Sequence, residues 1–163
     1  MAFDICEGVA MSRVQLALNV SDLDESIAFY TRLFQTPPAK VREGYANFSI
    51  AEPPLKLILF AGEGEPGSLN HIGVEVDSTA DVAAAIARAT ADGFDQEVQE
   101  NVSCCFAVQD KTWVQGPDNA WEFYTVLGDA PSMACDVSAP SGCAGAAESA
   151  GEAKSPDVAS RCC

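Results

Sequence analysis

The stretch NVSCCFAV places two thiols side by side, at Cys104 and Cys105. Neighbouring thiols are awkward in a regular strand, because successive strand side chains point to opposite faces of the sheet. A bulge or a loop at this point would turn both sulfurs to one side. Reduced thiols arranged in this way are available for metal or metalloid binding. The alternative is that both cysteines pack as small apolar residues in a core.

Three other residues form a candidate metal-binding set: Gln15, His71 and Glu122. His71 is the only histidine of the chain, and Glu122 lies in the aromatic stretch AWEFYTV. A carboxylate is costly to bury there unless it is paired or bound to a cation. An amide oxygen, an imidazole nitrogen and a carboxylate oxygen together suit a divalent first-row metal such as Fe(II) or Mn(II). The alternative is a hydrogen-bonded structural histidine and a glutamate that faces solvent.

The elements that would position these residues follow the same order twice along the chain. In the first half, residue patterns predict a strand at 14–20 and a helix at 21–34. In the second half, matching patterns predict a strand at 70–76 and a helix at 78–94. Three short strands are predicted after each helix, at about 39–43, 45–51 and 55–61 and then at about 96–101, about 104–109 and 120–126. The sequence therefore predicts an α+β fold of two tandem βαβββ modules.

Superposition of the two predicted modules aligns Gln15 with His71 and Leu57 with Glu122. Two half-sheets packed side by side would bring these four strand positions into one cleft. Because Leu57 is apolar, the cleft would offer three protein ligands and leave room for water, dioxygen or substrate.

Composition argues against several classes of function. The 163 residues include 24 acidic and 9 basic side chains, a formal net charge of -15, so we expect no binding to nucleic acid. No apolar run is long enough to span a bilayer, and no membrane partner is expected. The opening residues MAFDICEGVA lack the basic and apolar regions of a signal peptide. We therefore expect a cytoplasmic protein with reduced thiols rather than a disulfide framework.

The two ends of the chain differ from its middle. Residues 1–11 are expected to form a short N-terminal extension. From 128 to 163 the sequence shifts to small and acidic residues, a composition typical of disorder. This predicted tail carries four of the seven cysteines, Cys135, Cys143, Cys162 and Cys163. The last two could bind metalloid near the mouth of a site, or could have no role of their own.

The repeat and the three donor positions resemble the vicinal oxygen chelate superfamily, which includes glyoxalase I, extradiol dioxygenases and fosfomycin resistance proteins. Four stretches are more specific: RVQLALNVSDLDESIAFYTRLF, YANFSIAEPPLKLILF, LNHIGVEV and CCFAVQDKTWV. Together they resemble the carbon–arsenic lyase group, whose members are also called cadmium-induced proteins. The likeness covers roughly residues 12–127, in modules 12–61 and 69–127. The loop GPDNA departs from the family, whose members usually carry an extra glycine there.

This resemblance implies a cupped mixed sheet in which Gln15, His71 and Glu122 bind Fe(II). It also implies that Cys104 and Cys105 bind the trivalent arsenic of the substrate. The implied activity is an Fe(II)- and dioxygen-dependent lyase that cleaves trivalent methyl or aryl arsenicals to arsenite, in detoxification of organoarsenicals. We expect NVSCC to form a mobile loop or a strand start that closes over the substrate.

Two other functions stay open at this point. The chain could be a thiol-based protein that sequesters cadmium or arsenic without turnover, or another metal-dependent enzyme of the same superfamily. The number of cysteines favours sequestration, whereas the oxygen donors disfavour it, because storage of a soft ion does not need them. A homodimer is also left open, since paired modules close either within one chain or by exchange between two.

Overall fold

A computed structural model of the protein describes residues 12–133, which form two helices and one eight-stranded sheet. The helices are α1 (Leu23–Phe34) and α2 (Thr79–Ala91). The strands are β1 (Arg13–Val20), β2 (Lys40–Arg42), β3 (Tyr45–Ile50), β4 (Leu55–Ala61), β5 (Leu69–Glu75), β6 (Gln96–Cys104), β7 (Ala107–Gln115) and β8 (Ala120–Asp129). Their order across the sheet is β2-β3-β4-β1-β5-β8-β7-β6.

The sheet consists of two similar halves that meet at its centre. Each half contains four strands and one helix, in the order βαβββ along the chain. The first strands of the two halves, β1 and β5, pair antiparallel, and each pairs parallel with the last strand of its own half. The predicted fold class is confirmed: two tandem βαβββ modules form one curled mixed sheet.

Helix α1 covers one face of the first half-sheet. Asp22 caps its start by accepting a hydrogen bond from the backbone N–H of Glu25 at 2.8 Å. Ile27, Tyr30 and Phe34 then pack against the buried strand residues of that face. Those strand residues are Ala46, Phe48, Ile50, Leu57 and Leu59. Burial of this apolar face under the helix fixes the register of the strands, because a shift of one residue would turn every side chain to the other face.

The opposite face of the sheet is concave and carries the candidate site. Since strand side chains alternate, Gln15 and Ala17 of β1 point to this face together with Ile58 of β4. Leu57 points the other way, toward α1.

The predicted equivalence of Leu57 and Glu122 is therefore wrong by one residue. Ala17 pairs with Ile58 in the first half, and Gly73 pairs with Glu122 in the second. Ala17 and Gly73 hold equivalent places, each two residues after the first donor of its half. The counterpart of Glu122 is thus Ile58. The run LKLILFA is apolar on both faces, so its letters alone do not reveal a shift of one position. The fourth position remains apolar.

The second module also differs from prediction around the paired thiols. A strand was expected at about 104–109, but β6 runs to Cys104 and β7 begins at Ala107. The two-residue turn between them, Cys105 and Phe106, lacks the Asn-Gly or Asp-Gly signal of a tight hairpin, so the sequence pattern did not reveal it. At the far end, β8 continues to Asp129, three residues beyond the predicted end at 126, and Ala130 is buried.

The predicted extension at 1–11 and most of the predicted tail lie outside the described residues. Cys135, Cys143, Cys162 and Cys163 fall there as well, and the predicted domain boundaries stay predictions. Within residues 12–133, neither helix combines the length and the apolar character needed to cross a bilayer.

Candidate metal centre and thiol turn

The two central strands bring Gln15 and His71 together. In the antiparallel ladder of β1 and β5, Gln15 pairs with Gly73, and Ala17 pairs with His71. Gln15 and His71 are therefore diagonal neighbours on the same concave face. Glu122 joins them from β8, where it lies beside Gly73 in the parallel ladder.

The polar ends of these three side chains converge. Gln15 Nε2 lies 2.8 Å from His71 Nε2 and donates a hydrogen bond to Glu122 Oε2, also at 2.8 Å. His71 Nε2 and Glu122 Oε2 are 3.5 Å apart, and all three residues are buried. A half-turn of the Gln15 amide exchanges its nitrogen and oxygen and would present the oxygen to the same point. An amide oxygen, an imidazole nitrogen and a carboxylate oxygen then fit a divalent first-row metal.

The set of Gln15, His71 and Glu122 contains two titratable side chains. Between residues 12 and 133, no group of three or more histidine, cysteine, aspartate and glutamate side chains could hold a metal ion. The convergent set has one histidine and one glutamate, and its third donor is the neutral amide of Gln15. Three protein donors are what a catalytic metal site uses when it keeps positions open for water or substrate.

The imidazole of His71 is oriented by a contact at its other ring nitrogen, Nδ1. His71 Nδ1 lies 2.8 Å from Asn70 Oδ1, and Asn70 Nδ2 in turn donates to Asn19 Oδ1 at 2.9 Å. Because the amide oxygen of Asn70 only accepts hydrogen bonds, it favours a proton on Nδ1 and leaves Nε2 as an acceptor. That tautomer turns the lone pair of Nε2 toward Gln15 and Glu122, as a metal-binding histidine requires.

A fully buried lysine, Lys111, forms an ion pair with the carboxylate of Glu122. Lys111 is 0 % exposed and donates a hydrogen bond from Nζ to Glu122 Oε1 at 3.0 Å, while Glu122 Oε2 faces Gln15. Burial alone raises the pKa of Glu122, but the charge of Lys111, together with the hydrogen bond and charge of His71 when its imidazole is protonated, outweighs burial and lowers that pKa to about 2. The carboxylate is therefore ionised at neutral pH, and one of its two oxygens is committed to Lys111.

Gly73 allows Glu122 to approach β5. A Cβ atom at residue 73 would lie 2.6 Å from the backbone oxygen of Glu122 and 3.0 Å from its Cβ. Any side chain here would push β8 away from β5. Glycine is required because the two backbones pass closely, and not because of an unusual φ angle.

A cavity of about 230 Å³ opens over the convergent donors. Gln15, His71 and Glu122 form one part of its wall, and Cys105 forms another. Its remaining lining is mostly polar or small and comes from both modules: Ala39, Lys40, Tyr45, Asn47, Lys56, Ile58, Glu75, Ala107, Gln109, Tyr124, Val126 and Asp129. The candidate donors and one of the paired cysteines thus face a common space.

The paired cysteines lie at the tip of the β6–β7 hairpin, which we call the thiol turn (residues 104–107). Cys105 and Phe106 have φ angles of 51° and 60°, the sign that a two-residue type I′ hairpin turn requires. Residues other than glycine pay about 1–2 kcal/mol each for this left-handed conformation. The two Sγ atoms lie 3.5 Å apart. The turn therefore departs from regular pleating, as the adjacent thiols had suggested.

Contacts with the first module hold the thiol turn over the cavity. Cys104 and Cys105 belong to one buried cluster with Ala17, Tyr45, Ile58 and Phe60 of the first half-sheet. The ring centroids of Tyr45 and Phe106 are 5.3 Å apart, and Lys40 Nζ donates to the backbone oxygen of Phe106 at 3.0 Å. The expectation of a mobile loop is not tested by these contacts. Through Cys105 the turn lines the same cavity as His71, whose ring centroid is 6.2 Å from that of Phe60.

Sequence reasoning missed several residues of this site, among them Asn70, Lys111, Gln109 and Tyr124. A signal for Lys111 was present, because Gln109, Lys111 and Trp113 alternate with the period of a strand. A lysine in line with a buried tryptophan needs a charged partner. The signal was overlooked because the predicted strand ended near 109, before Lys111.

Comparison with known families places the fold. The model of the Glyoxalase/Bleomycin resistance protein/Dioxygenase superfamily matches residues 12–123. Two kinds of curated relative also match. The cadmium-induced protein CadI of Mycobacterium tuberculosis is 56 % identical over 124 residues, which cover 76 % of this chain and 82 % of the relative. The trivalent organoarsenical cleaving enzyme of Thermomonospora curvata is 53 % identical over 145 residues, covering 84 % of this chain and 96 % of the relative.

Solved structures agree with the fold but are more distant in sequence. An extradiol ring-cleaving dioxygenase from B. fuscum superposes with a TM-score of 0.54 at 21 % identity, over 72 % of this chain and 33 % of the dioxygenase chain. A Mn(II)-bound glyoxalase from Novosphingobium aromaticivorans superposes with a TM-score of 0.52 at 22 % identity, over 76 % of this chain and 43 % of the other. This chain therefore spans about a third to less than half of those proteins.

Proposed function

The chain belongs to the Glyoxalase/Bleomycin resistance protein/Dioxygenase superfamily, and from this premise we propose that it cleaves the carbon–arsenic bond of trivalent methyl or aryl arsenicals with Fe(II) and dioxygen. The observation that carries the proposal is the common cavity of Gln15, His71, Glu122 and Cys105. The relative named as a trivalent organoarsenical cleaving enzyme, 53 % identical over nearly its whole length, supports the same activity.

Gln15, His71 and Glu122 are the proposed Fe(II) ligands, and the bound metal would supply activation of dioxygen. The chain prepares this site in three ways. Asn70 fixes the tautomer of His71, Lys111 keeps Glu122 ionised, and Gly73 lets Glu122 lie close to β5. Each arrangement presents a donor atom to one point without the need for rearrangement of the backbone.

Cys104 and Cys105 are the proposed arsenic ligands. A trivalent arsenical with one carbon substituent has two exchangeable hydroxyl groups, and two thiols replace both with release of two water molecules. The carbon–arsenic bond is left intact and becomes the part of the substrate directed into the cavity. Because both sulfurs lie on one turn, binding of arsenic costs the protein little conformational entropy. The arsenical is then held on the protein, so the later reaction is effectively intramolecular.

The overall reaction balances for a methyl substrate. Methylarsonous acid and one molecule of dioxygen have the same atoms as formaldehyde and arsenous acid together. The four electrons that dioxygen accepts come from the methyl carbon, and arsenic remains trivalent throughout. No further reductant is needed, and arsenite leaves as the inorganic product.

The test starts from full-length protein stripped of metal and loaded anaerobically with Fe(II). Methylarsonous acid, or phenylarsonous acid together with ascorbate as the reductant, is added, air is admitted, and arsenite is measured by chromatography with arsenic detection. We expect arsenite only when iron, air and protein are all present. Cys104→Ser and Cys105→Ser should each keep the bound iron and lose most of the arsenite release, and Cys143→Ser serves as a control for a cysteine elsewhere.

Sequestration without turnover is the competing outcome. The two sulfurs 3.5 Å apart would also suit a soft ion. In that case the arsenical would bind in a fixed ratio to protein, and no arsenite would appear in air. That result would overturn the proposed cleavage.

A role for Cys162 and Cys163 stays a prediction. Phe106 donates its backbone N–H to the backbone oxygen of Ser132 at 3.2 Å, and Met133 packs near the thiol turn. A truncation that tests the tail should therefore end after Met133. We expect such a chain to retain a single turnover of arsenical, since the proposed ligands are all kept.

A further inference from the structure

Two residues that line the cavity each carry a buried polar atom with no hydrogen-bond partner among the described residues. These atoms are Gln109 Oε1 and the hydroxyl of Tyr124. Gln109 is 6 % exposed and Tyr124 is 1 % exposed, and both line the cavity that contains the donor cluster. A buried polar atom left without a partner costs about 1–3 kcal/mol, so this part of the wall is suited to a ligand that hydrogen-bonds.

The pairing of β7 with β8 places Gln109 and Tyr124 between the proposed metal ligands and the paired cysteines. On β8, Tyr124 follows Glu122 by two residues and shares its face, opposite Lys111 of β7. Gln109 is the next residue on the same face of β7, and that strand begins at the thiol turn with Ala107. A group bound by Gln109 and Tyr124 would therefore lie between the donor cluster and the paired cysteines.

The size of the cavity favours a ring over a methyl group. Its volume is about 230 Å³. An apolar cavity of about 150 Å³ is enough to admit benzene in another protein. A methyl group held at the thiol turn would leave Gln109 and Tyr124 without partners, whereas an aromatic ring with a polar substituent would reach across the space.

We propose that Gln109 and Tyr124 form a subsite for a hydroxyl group on the aromatic ring of the arsenical, which makes hydroxyaryl arsenicals the preferred substrate class. The proposal rests on the proposed function. A hydroxyl group satisfies both atoms at once, because it donates one hydrogen bond to Gln109 Oε1 and accepts one from the Tyr124 hydroxyl. An unsubstituted phenyl ring satisfies neither.

Among the aryl substrates, the reaction balance also favours a hydroxyaryl arsenical over an unsubstituted phenyl arsenical. A 4-hydroxyphenyl arsonous acid and one dioxygen contain the same atoms as benzoquinone and arsenous acid. The ring supplies all four electrons, arsenic stays trivalent, and both hydroxyl and ring protons are accounted for in the products. Cleavage of an unsubstituted phenyl group to phenol releases only two electrons, so dioxygen could be fully reduced only with an added reductant.

The test compares binding and turnover of three probes: methyl, phenyl and 4-hydroxyphenyl arsonous acid. Binding is measured under nitrogen with metal-free full-length protein, by quenching of tryptophan fluorescence. One hydrogen bond contributes about 1 kcal/mol, or roughly fivefold in affinity, so two should make the 4-hydroxyphenyl compound bind roughly thirtyfold tighter than the phenyl compound. Tyr124→Phe and Gln109→Leu should each reduce this ratio toward one.

Tyr30→Phe is the matched control, because it removes the same atom from a tyrosine that packs on the helix face of the sheet. It should keep the wild-type ratio. The subsite is disproved if the wild-type protein binds both aryl probes equally, or if neither cavity substitution changes the ratio.

Turnover separates this proposal from the proposed function. If the expected binding ratio is found but the Fe(II)-loaded protein releases no arsenite in air, the cleavage proposal fails and the subsite stands. If arsenite is released with equal kcat/KM from both aryl probes, and both cavity variants lose activity equally on all probes, the cleavage proposal stands and the subsite is wrong.

Discussion

The two modules share one fold, but their concave faces carry different side chains. The first module contributes one neutral amide, Gln15, and an aliphatic residue, Ile58, at the fourth position. The second contributes His71 and Glu122 at the equivalent places, and it also carries the thiol turn. The duplicated fold therefore supplies four equivalent positions around one point. The side chains at these positions differ between the modules, so the candidate metal ligands come mainly from the second module.

The same contrast extends to the residue beside each fourth position. Ala17 neighbours Ile58, and Gly73 neighbours Glu122. A methyl group fits in the first half, where Ala17 is fully buried, but a Cβ at residue 73 would collide with the backbone of Glu122. The approach of β8 to β5 therefore depends on glycine at residue 73, whereas β1 and β4 accommodate the methyl group of Ala17.

The largest effect should come from removing a proposed metal ligand of the second module. Glu122→Gln and His71→Ala should each lower arsenite release more than about a hundredfold, the upper limit for residues that merely orient a ligand, and should lose bound iron. Ile58→Val, the matched change in the first module, should keep iron and cost about 0.5–1.5 kcal/mol of stability. Metal analysis after anaerobic loading and assays in air measure both. Equal loss of iron in Ile58→Val would contradict the asymmetry.

The buried ion pair of the second module should dominate the acid stability of the metal-free protein. The pKa of Glu122 is lowered from 4.5 to about 2, so ionised Glu122 favours the folded state. This contribution, roughly 3 kcal/mol, is complete above pH 4.5 and is lost as the pH falls toward 2. Urea unfolding at pH 6 and pH 3 measures it.

Lys111→Met removes the charged partner of Glu122, and comparison with wild type shows how much of the acid dependence comes from this ion pair. It should cost about 3–5 kcal/mol at neutral pH, because Glu122 is left buried without a cation, and should flatten the fall in stability with acid. If wild type and Lys111→Met lose stability in parallel between pH 6 and pH 3, Glu122 does not control the slope.

An intermediate effect is expected from the residues beside the fourth positions. Gly73→Ala should displace Glu122 and lower iron affinity by roughly tenfold to a hundredfold, a range typical of lost support around a metal ligand. Ala17→Gly should leave iron affinity close to wild type, since the neighbouring Ile58 is not a proposed ligand. Iron titration under nitrogen compares the two variants, and similar affinities for both would remove the distinction between the modules.

The smallest effect should come from making the two halves more alike. Gln15→His places an imidazole at both first donor positions, and neutral imidazole is also a good ligand for first-row metals. We expect retained iron and a change in affinity within about tenfold, the equivalent of about 1.4 kcal/mol. Loss of iron from this variant would show that the amide of Gln15 is needed for more than a donor atom.

The sequence by itself determined the two βαβββ modules and the equivalent places of Gln15 and His71 within them. Strand and helix periods differ, and a repeat doubles the signal at each position, so these features are readable without coordinates. The same signal failed at Leu57, because an apolar run buried on both faces carries no alternation to fix its phase. It failed also at the thiol turn, where Cys105 and Phe106 occupy a tight turn without the residues that usually mark one.

Only the tertiary structure decided which side chains meet. Lys111 and Glu122 are eleven residues apart in the chain, but their side chains meet because β7 and β8 are neighbours in the sheet. Asn70 orients the adjacent His71 through a side-chain contact. The thiol turn reaches the donor cluster because the curled sheet packs it against Tyr45, Ile58 and Phe60 of the other module. Such contacts depend on strand register and sheet curvature, which arise from packing of the whole chain, so a local pattern can mark a residue as buried but does not identify its partner.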